Sequence, residues 1–240
     1  MLQKPDPPAH LSVKPLYVQL REALIARIAN GEWSSGQALP NELDIAREFE
    51  LSPGTVRKAL DWMVGAGIVV RQQGRGTFVT DQSSMCRYER LRRADGSILV
   101  MDASSADVEE DMPSPRERAC LGLGDRDRVY RLRRTRSADG RMVMVEEIAV
   151  PAASFPQLAG VKRVAYDLAG LVRERQHLLG PGSERLLLAP VPAEVAALLG
   201  LKPGDRVMML QRVIRSLEDV ALEMRTAWCV PGAYYHVPIE

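Results

Sequence analysis

Residues 51–79 read LSPGTVRKALDWMVGAGIVVRQQGRGTFV, and the order of signals in this stretch decides the fold. Ser52 stands where a helix N-cap belongs, with Pro53 in the first turn. Val56, Leu60, Met63 and Val64 then fall on one side of a helix. Gly65 and Gly67 end it, and two short strands, 68–72 and 76–80, follow around Gly74-Arg75-Gly76. Residues 53–80 carry four basic side chains, Arg57, Lys58, Arg71 and Arg75, against one acid, Asp61.

Upstream, Leu16, Leu20, Ala23, Leu24 and Ile28 recur at helical steps until Gly31. Pro40 introduces a second helix with Leu43, Ile45, Ala46 and Phe49. Three helices followed by a β-ribbon form a unit that lays its third helix in the major groove of DNA. Ser52 fixes the start of that helix, whose free N–H groups suit a phosphate oxygen. Thr55, Arg57 and Lys58 lie on its first turns, away from Val56 and Leu60. Arg57 is the expected reader of a base edge or clamp on a phosphate. Gly74 and Gly76 turn the ribbon, Arg75 between them reaches a minor groove or the backbone, and Gln73 adds hydrogen-bonding capacity. The bland alternative is a helical bundle with a solvated charged face.

The bulk numbers set limits around this unit. The chain has 240 residues and a net charge of +1, from 32 basic and 31 acidic residues, so total charge points to no partner. Its 46% hydrophobic content supports a sizeable core. Three dispersed cysteines, Cys86, Cys120 and Cys229, argue against a disulfide framework and for a reducing compartment. His10, His177 and His236 have no metal-ligand spacing, and neither a metal nor a cofactor is expected. Lacking a signal peptide or an 18-residue apolar run, the protein is expected to be cytoplasmic, away from membranes.

Four segments are expected: a loose arm over 1–14, the DNA-binding unit over 15–80, a polar linker over 81–86 (DQSSMC), and a second domain over 87–240. The second domain repeats itself. LGLGDRDRVYRLRRTRSADGRMVMVEEIAVP from Leu121 and LGLKPGDRVMMLQRVIRSLEDVALEMRTAWCVP from Leu199 share Leu-Gly-Leu, Asp-Arg-Val and a central arginine, Arg134 and Arg212, at an offset of 78. Each copy reads as a short helix and a β-hairpin, the first turning at Asp139-Gly140. With strands at 98–103 and 184–189 and a helix at 166–178, this is an α+β domain on an antiparallel sheet, pseudo-symmetric, with a groove between its halves.

Tyr130 and Leu132 share a strand face with Arg134 and Arg136, and Met144, Glu146 and Ile148 share a face on the partner strand. Charges that interrupt apolar faces need partners. Either Arg134 or Arg136 pairs with Glu146 across the hairpin, or the arginines face a cleft and grip an anion with their planar forks.

The stretch from Pro15-Leu16-Tyr17 through Leu39-Pro40, Glu42, Ser52, Thr55-Val56-Arg57-Lys58-Ala59-Leu60 and Gly74-Arg75-Gly76-Thr77-Phe78-Val79 resembles the winged helix-turn-helix of GntR-family transcription regulators. That resemblance implies a homodimer on double-stranded DNA carrying a palindromic operator. Two places where the family often has a DNA-contacting arginine hold Leu43 and Pro53. The remainder, with its hairpins, Asp139-Gly140 and Glu146-to-Pro151, resembles the UTRA ligand-binding domain of the HutC subfamily, a fold similar to chorismate lyase. It implies an effector pocket at Arg134, Arg136, Glu146, Tyr166 and Trp228, and a role as a repressor released by a small anionic metabolite. The resemblance matches a phosphate-holding serine to Val164 and a sugar-contacting glutamate to Leu222. A small carboxylate, or an aromatic or heterocyclic acid stacked near Trp228 and Tyr166, is the expected effector class; plain core packing is the other reading of those two aromatics. An enzyme of chorismate-lyase-like fold acting on a small acid is the competing class, although no nucleophile–base arrangement stands out.

Overall fold

The computed structural model describes residues 14–81, 90–175, 178–230, 232 and 234–236. It divides into two compact units, Met1–Thr80 and Asp81–Glu240. The arm expected over 1–14, Lys14 apart, and the linker expected over 81–86, Asp81 apart, lie outside the described residues.

In the first unit, helix α1 spans Leu16–Ala29, α2 Glu42–Glu48 and α3 Pro53–Gly65; strands β1, Val69–Gln72, and β2, Gly76–Val79, form the ribbon. The apolar spacing explains the packing. Leu20, Leu24 and Ile28 of α1 are buried with Ile45 and Ala46 of α2 and with Val56, Ala59, Leu60 and Met63 of α3. Leu16 and Leu43 stay largely exposed. The ribbon also gains a partner that the sequence pattern did not reveal. Ala38 bridges Phe78, Leu39 N–H donates to the Thr77 carbonyl at 2.8 Å, and Val79 N–H donates to the Gln37 carbonyl at 2.9 Å.

The second unit is built on an antiparallel sheet. Its strands are β4 (Asp102–Ala103), β5 (Ala106–Asp111), β6 (Val129–Ala138), β7 (Arg141–Pro151), β8 (Arg163–Val164), β9 (Leu179–Pro190), β10 (Arg206–Ser216) and β11 (Ala221–Cys229). The order is β8-β5-β6-β7-β11-β10-β9, with β4 paired to β6. A separate pair joins β3 (Leu91–Arg92) to β12 (Tyr234–Tyr235). Helices α4 (Pro115–Leu121), α5 (Leu168–Arg173) and α6 (Ala193–Leu199) complete it.

The repeat is realised as α4-β6-β7 and α6-β10-β11. The two hairpins meet where β7 pairs with β11, and Glu147 opposite Thr226 lies at the centre of their pseudo-symmetry. Each helix packs on the other copy's hairpin, α4 on β11 and α6 on β7, so the halves are interlocked. Asp139 (φ 51°) and Gly140 (φ 72°) both turn left-handed, which matches the twist of a two-residue hairpin. Val145, Trp228 and Val207 meet α6 on one face of the sheet. Leu132, Ile148, Tyr166 and α5 pack on the other, beside Met144, Leu210, Ala227 and Cys229.

Two expected elements differ, and one strand was not expected. The helix expected over 166–178 is confined to Leu168–Arg173 among the described residues; its start is fixed by the Asp167 side chain, which accepts from Gly170 N–H at 3.1 Å. Of the strand expected over 98–103, only Asp102–Ala103 joins the sheet, while Ile98 bridges Arg92. Strand β5 was not foreseen. Its acidic run masks an alternation in which only Ala106 and Val108 turn inward.

Candidate DNA-binding face and effector site

Helix α3 begins as its sequence requires: Ser52 Oγ accepts from Thr55 N–H at 3.2 Å and lies 2.9 Å from Thr55 Oγ1. Arg57 projects from the next turn with its side chain 66% exposed. Its Nε donates to Glu42 Oε2 at 3.1 Å, and Arg71 Nη2 donates to Glu42 Oε1 at 3.1 Å. Arg71 also donates to Asp61 at 2.5 Å. Glu42, in the first turn of α2, therefore links α2, the recognition-type helix and the ribbon. Sequence reasoning named Arg57 and overlooked this carboxylate. Lys58 Nζ sits 4.0 Å above the Tyr17 ring, a cation–π contact that leans its stem on α1. At the ribbon tip Gln73 and Arg75 are exposed, with the Arg75 guanidinium 5.6 Å from the Phe78 ring centre. Gly74 (φ 71°) and Gly76 (φ 119°) hold backbone angles that side chains with a Cβ rarely adopt. Ser52, Thr55, Arg57 and Lys58 thus share one end of α3, and Gln73, Arg75 and Gly76 share the ribbon tip of the same unit.

In the second unit, period-two alternation aims Arg134 and Arg136 of β6 and Glu146 of β7 at one face, with Arg134 directly opposite Glu146. Arg134 Nε donates to Glu146 Oε2 at 2.5 Å, and Arg136 Nε to the same oxygen at 2.9 Å. Arg225, from β11, donates to Glu146 Oε1 at 2.7 Å and to Glu223 Oε2 at 2.7 Å. Glu223 also accepts from Tyr166 Oη at 2.8 Å, and Arg212 approaches its other oxygen at 3.6 Å. The Tyr166 carbonyl accepts from Arg134 Nη1 at 2.7 Å. Among the described residues, four guanidinium groups therefore converge on two fully buried carboxylates. Burial alone would raise the pKa of Glu146, but the guanidinium groups of Arg225, Arg136 and Arg134 outweigh it and hold the carboxyl well below the usual range. Burial opposes ionisation of Glu223 in the same way, and Arg225 and Arg212 reverse the shift.

The structure brings Arg134, Arg136, Glu146 and Tyr166 together and leaves Trp228 out. Trp228 is three residues from Arg225 on the same strand, so it faces the opposite side of the sheet, where it packs with Val145, Val195 and Leu199. Both arginines take the internal pairing with Glu146 that the sequence left as one alternative. Leu222 packs in the apolar cluster around Phe155, and the neighbouring Glu223 supplies the carboxylate at this place. Sequence reasoning missed Arg212, Glu223 and Arg225 as site residues. Two signals could have found them: Arg212 repeats Arg134, and Glu223, Arg225 and Ala227 alternate along β11 as Met144, Glu146 and Ile148 do along β7. Beside the cluster, Met144 lies opposite both Arg136 and Cys229. Met144 and Cys229 help line a cavity of about 550 Å³ whose wall mixes Leu91, Leu99, Met101 and Val230 with Arg93, Asp139 and Arg141, and none of the four clustered arginines is among its lining residues. Burial pushes the Cys229 thiol up to about 12, which keeps it neutral.

Residues 16–79 match the family of bacterial regulatory proteins of the gntR type, and residues 99–235 match the UTRA domain. The chain is 26% identical over 222 residues to the HTH-type transcriptional regulator SmoD of Agrobacterium fabrum, covering 89% of this chain and 91% of that one. It is 27% identical over 222 residues to the HTH-type transcriptional repressor NagR of Bacillus subtilis, covering 87% and 88%. Among solved structures, PhnF from Mycobacterium smegmatis shares the fold, with a TM-score of 0.54 and 24% identity over 92% of this chain and 99% of that one.

Proposed function

Because the chain belongs to the UTRA family and carries a GntR-type winged helix-turn-helix ahead of that domain, we propose that it is a homodimeric transcription repressor that a small anionic metabolite releases from a palindromic operator. The observation that carries this reading is the pairing of two built sites on one chain. The first unit presents a capped helix with exposed Arg57 and a ribbon tipped by Arg75; the second gathers four guanidinium groups around two carboxylates. Guanidinium geometry suits carboxylate or phosphate, which supports an anionic ligand.

A ligand that orders the second domain changes the separation of two DNA heads through residues 81–86, and two half-sites are matched only when that separation fits the helical repeat. A regulator that works on an operator acts in the cytoplasm, which supports that localisation. The relatives are regulators and repressors, not enzymes, which sets the enzyme alternative aside. Selection from a random duplex pool with the full chain tests the DNA half of the reading. The expected product is an inverted repeat whose half-sites lie about 10–10.5 bp apart, or a multiple of that. Recovery of no enriched sequence would contradict it.

A further inference from the structure

The second repeated hairpin is irregular near its turn, where β10 shifts register against both neighbours. Ile214 stands opposite Glu223 of β11, yet the next residue, Arg215, stands opposite Ala221. On the other side Ile214 meets Gly182 of β9 and Ser216 meets Leu179. Leu222 is therefore the extra residue of a β-bulge, and a bulge re-aims a side chain. Strict alternation would set Leu222 and Glu223 on opposite faces. Instead Leu222 packs with Phe155, Val172 and Ile214 in the apolar cluster that includes Tyr166.

A cavity of about 390 Å³ opens beside this bulge, the size of a small-ligand site. Buried Phe155, Val172 and Leu222 form an apolar floor, and Val220, 52% exposed, stands at the rim. Three polar groups also line it. Ser216 is buried, and its Oγ accepts from Glu218 N–H at 3.2 Å and from Val220 N–H at 3.3 Å. A hydroxyl that accepts twice still carries one proton to donate, and no described residue takes it. Arg175 follows α5, where its N–H donates to the Val172 carbonyl at 3.1 Å, and Glu218 lies on the hairpin turn. Both are exposed, and among the described residues neither is in an ion pair. The neighbouring carboxylate of Asp219 is already approached by Arg215 at 3.5 Å. None of the four clustered arginines, and neither Glu146 nor Glu223, lines this cavity.

We propose that this cavity binds an α-amino acid with an apolar side chain, at a site distinct from the arginine cluster. The side chain lies on Phe155, Val172 and Leu222. The carboxylate takes the Arg175 guanidinium and the spare Ser216 proton, and the ammonium takes the Glu218 carboxylate. A simple acid of the same shape would face Glu218 as a like charge, and a simple amine would face Arg175 in the same way. Two donors and one acceptor around an apolar floor therefore select a zwitterion, whereas the arginine cluster suits an anion.

Calorimetric titration of the full chain tests the site. The probes are L-leucine and L-phenylalanine, their counterparts without the ammonium (4-methylpentanoate and 3-phenylpropanoate) and those without the carboxylate (isopentylamine and phenethylamine). At least one amino acid is expected to bind saturably, and roughly tenfold or more tightly than its acid or amine counterpart. Arg175→Ala and Glu218→Gln change exposed side chains, so both should keep the wild-type circular-dichroism spectrum. Arg175→Ala is expected to weaken amino-acid binding roughly tenfold or more, and Glu218→Gln to erase the preference over the acid counterpart. Val220→Trp, a bulky change at an exposed rim position, is expected to abolish binding. Absence of saturable binding by both amino acids, acid or amine counterparts that bind as tightly, or affinity indifferent to Arg175→Ala and Glu218→Gln would overturn the proposal. The readout is independent of DNA: a chain that binds its operator but neither amino acid loses this site and keeps the regulator reading.

Discussion

Arg225 Nη1 donates to Glu146 Oε1 at 2.7 Å, and this bond crosses from the second repeated hairpin to the first. Both groups are buried, at 2% and 0% exposure, so neither can fall back on water. Breaking such a pair by removing one partner leaves the other charged in a low dielectric. Glu146→Gln removes the anion shared by Arg134, Arg136 and Arg225, and should cost about 3–5 kcal/mol in urea unfolding of the second unit. A loss below about 1 kcal/mol would show that the cluster is open to solvent and inconsequential for folding.

The same carboxylates set a pH dependence. Glu146 and Glu223 have folded pKa values below the ordinary glutamate value of 4.5, despite burial, because of Arg225 and the other guanidinium groups. A lowered folded pKa contributes stability above the unfolded value and loses it as pH falls through the folded value. Unfolding free energy should therefore be level above about pH 5 and decline below about 4.5, with a smaller decline in Glu146→Gln. Denaturant titrations from pH 7 to 3 on both proteins measure this; parallel slopes would show that Glu146 contributes none of the dependence.

In the DNA-binding unit, Arg57 is exposed and tied only to Glu42 in the described contacts, so Arg57→Ala should fold as wild type does. Loss of a base-reading or phosphate-clamping arginine should cost roughly 1–3 kcal/mol of operator affinity. A gel-shift titration with unaltered affinity would remove Arg57 from the contact surface.

Glu42 permits a finer test. Exposed ion pairs contribute about 0–1 kcal/mol, so Glu42→Gln should barely move the melting transition. It should free Arg57 and Arg71 from a fixed geometry and remove a negative charge from the face. Random-sequence DNA should then be bound more tightly, and preference for the operator should fall. An unchanged ratio of operator to random-DNA affinity would show that Glu42 does not position these arginines.

Much of this was legible in the sequence wherever local chemistry dictates structure. Ser52, Pro53 and the glycines around Arg75 fixed the helix start and the ribbon turn, and the Leu-Gly-Leu and Asp-Arg-Val repeats located both hairpins. Where partners come from distant strands, local pattern was silent. The bond between Arg225 and Glu146 spans 79 positions and depends on β7 lying beside β11, which no short window encodes. The resemblance grouped Trp228 with Arg134, whereas its odd spacing from Arg225 along β11 puts it on the other face of the sheet. Glu42 escaped notice because its role appears only when α2, α3 and the ribbon are assembled.

Fluorescence anisotropy of the full chain on its selected operator, repeated across a panel of small carboxylic and phosphorylated acids, tests the whole account most directly. The expected result is that at least one acid weakens operator binding, and that Arg136→Ala binds the operator normally yet no longer responds to that acid. Operator binding indifferent to every acid, or a response that survives intact in Arg136→Ala, would contradict the assignment of the buried arginine cluster as the sensor.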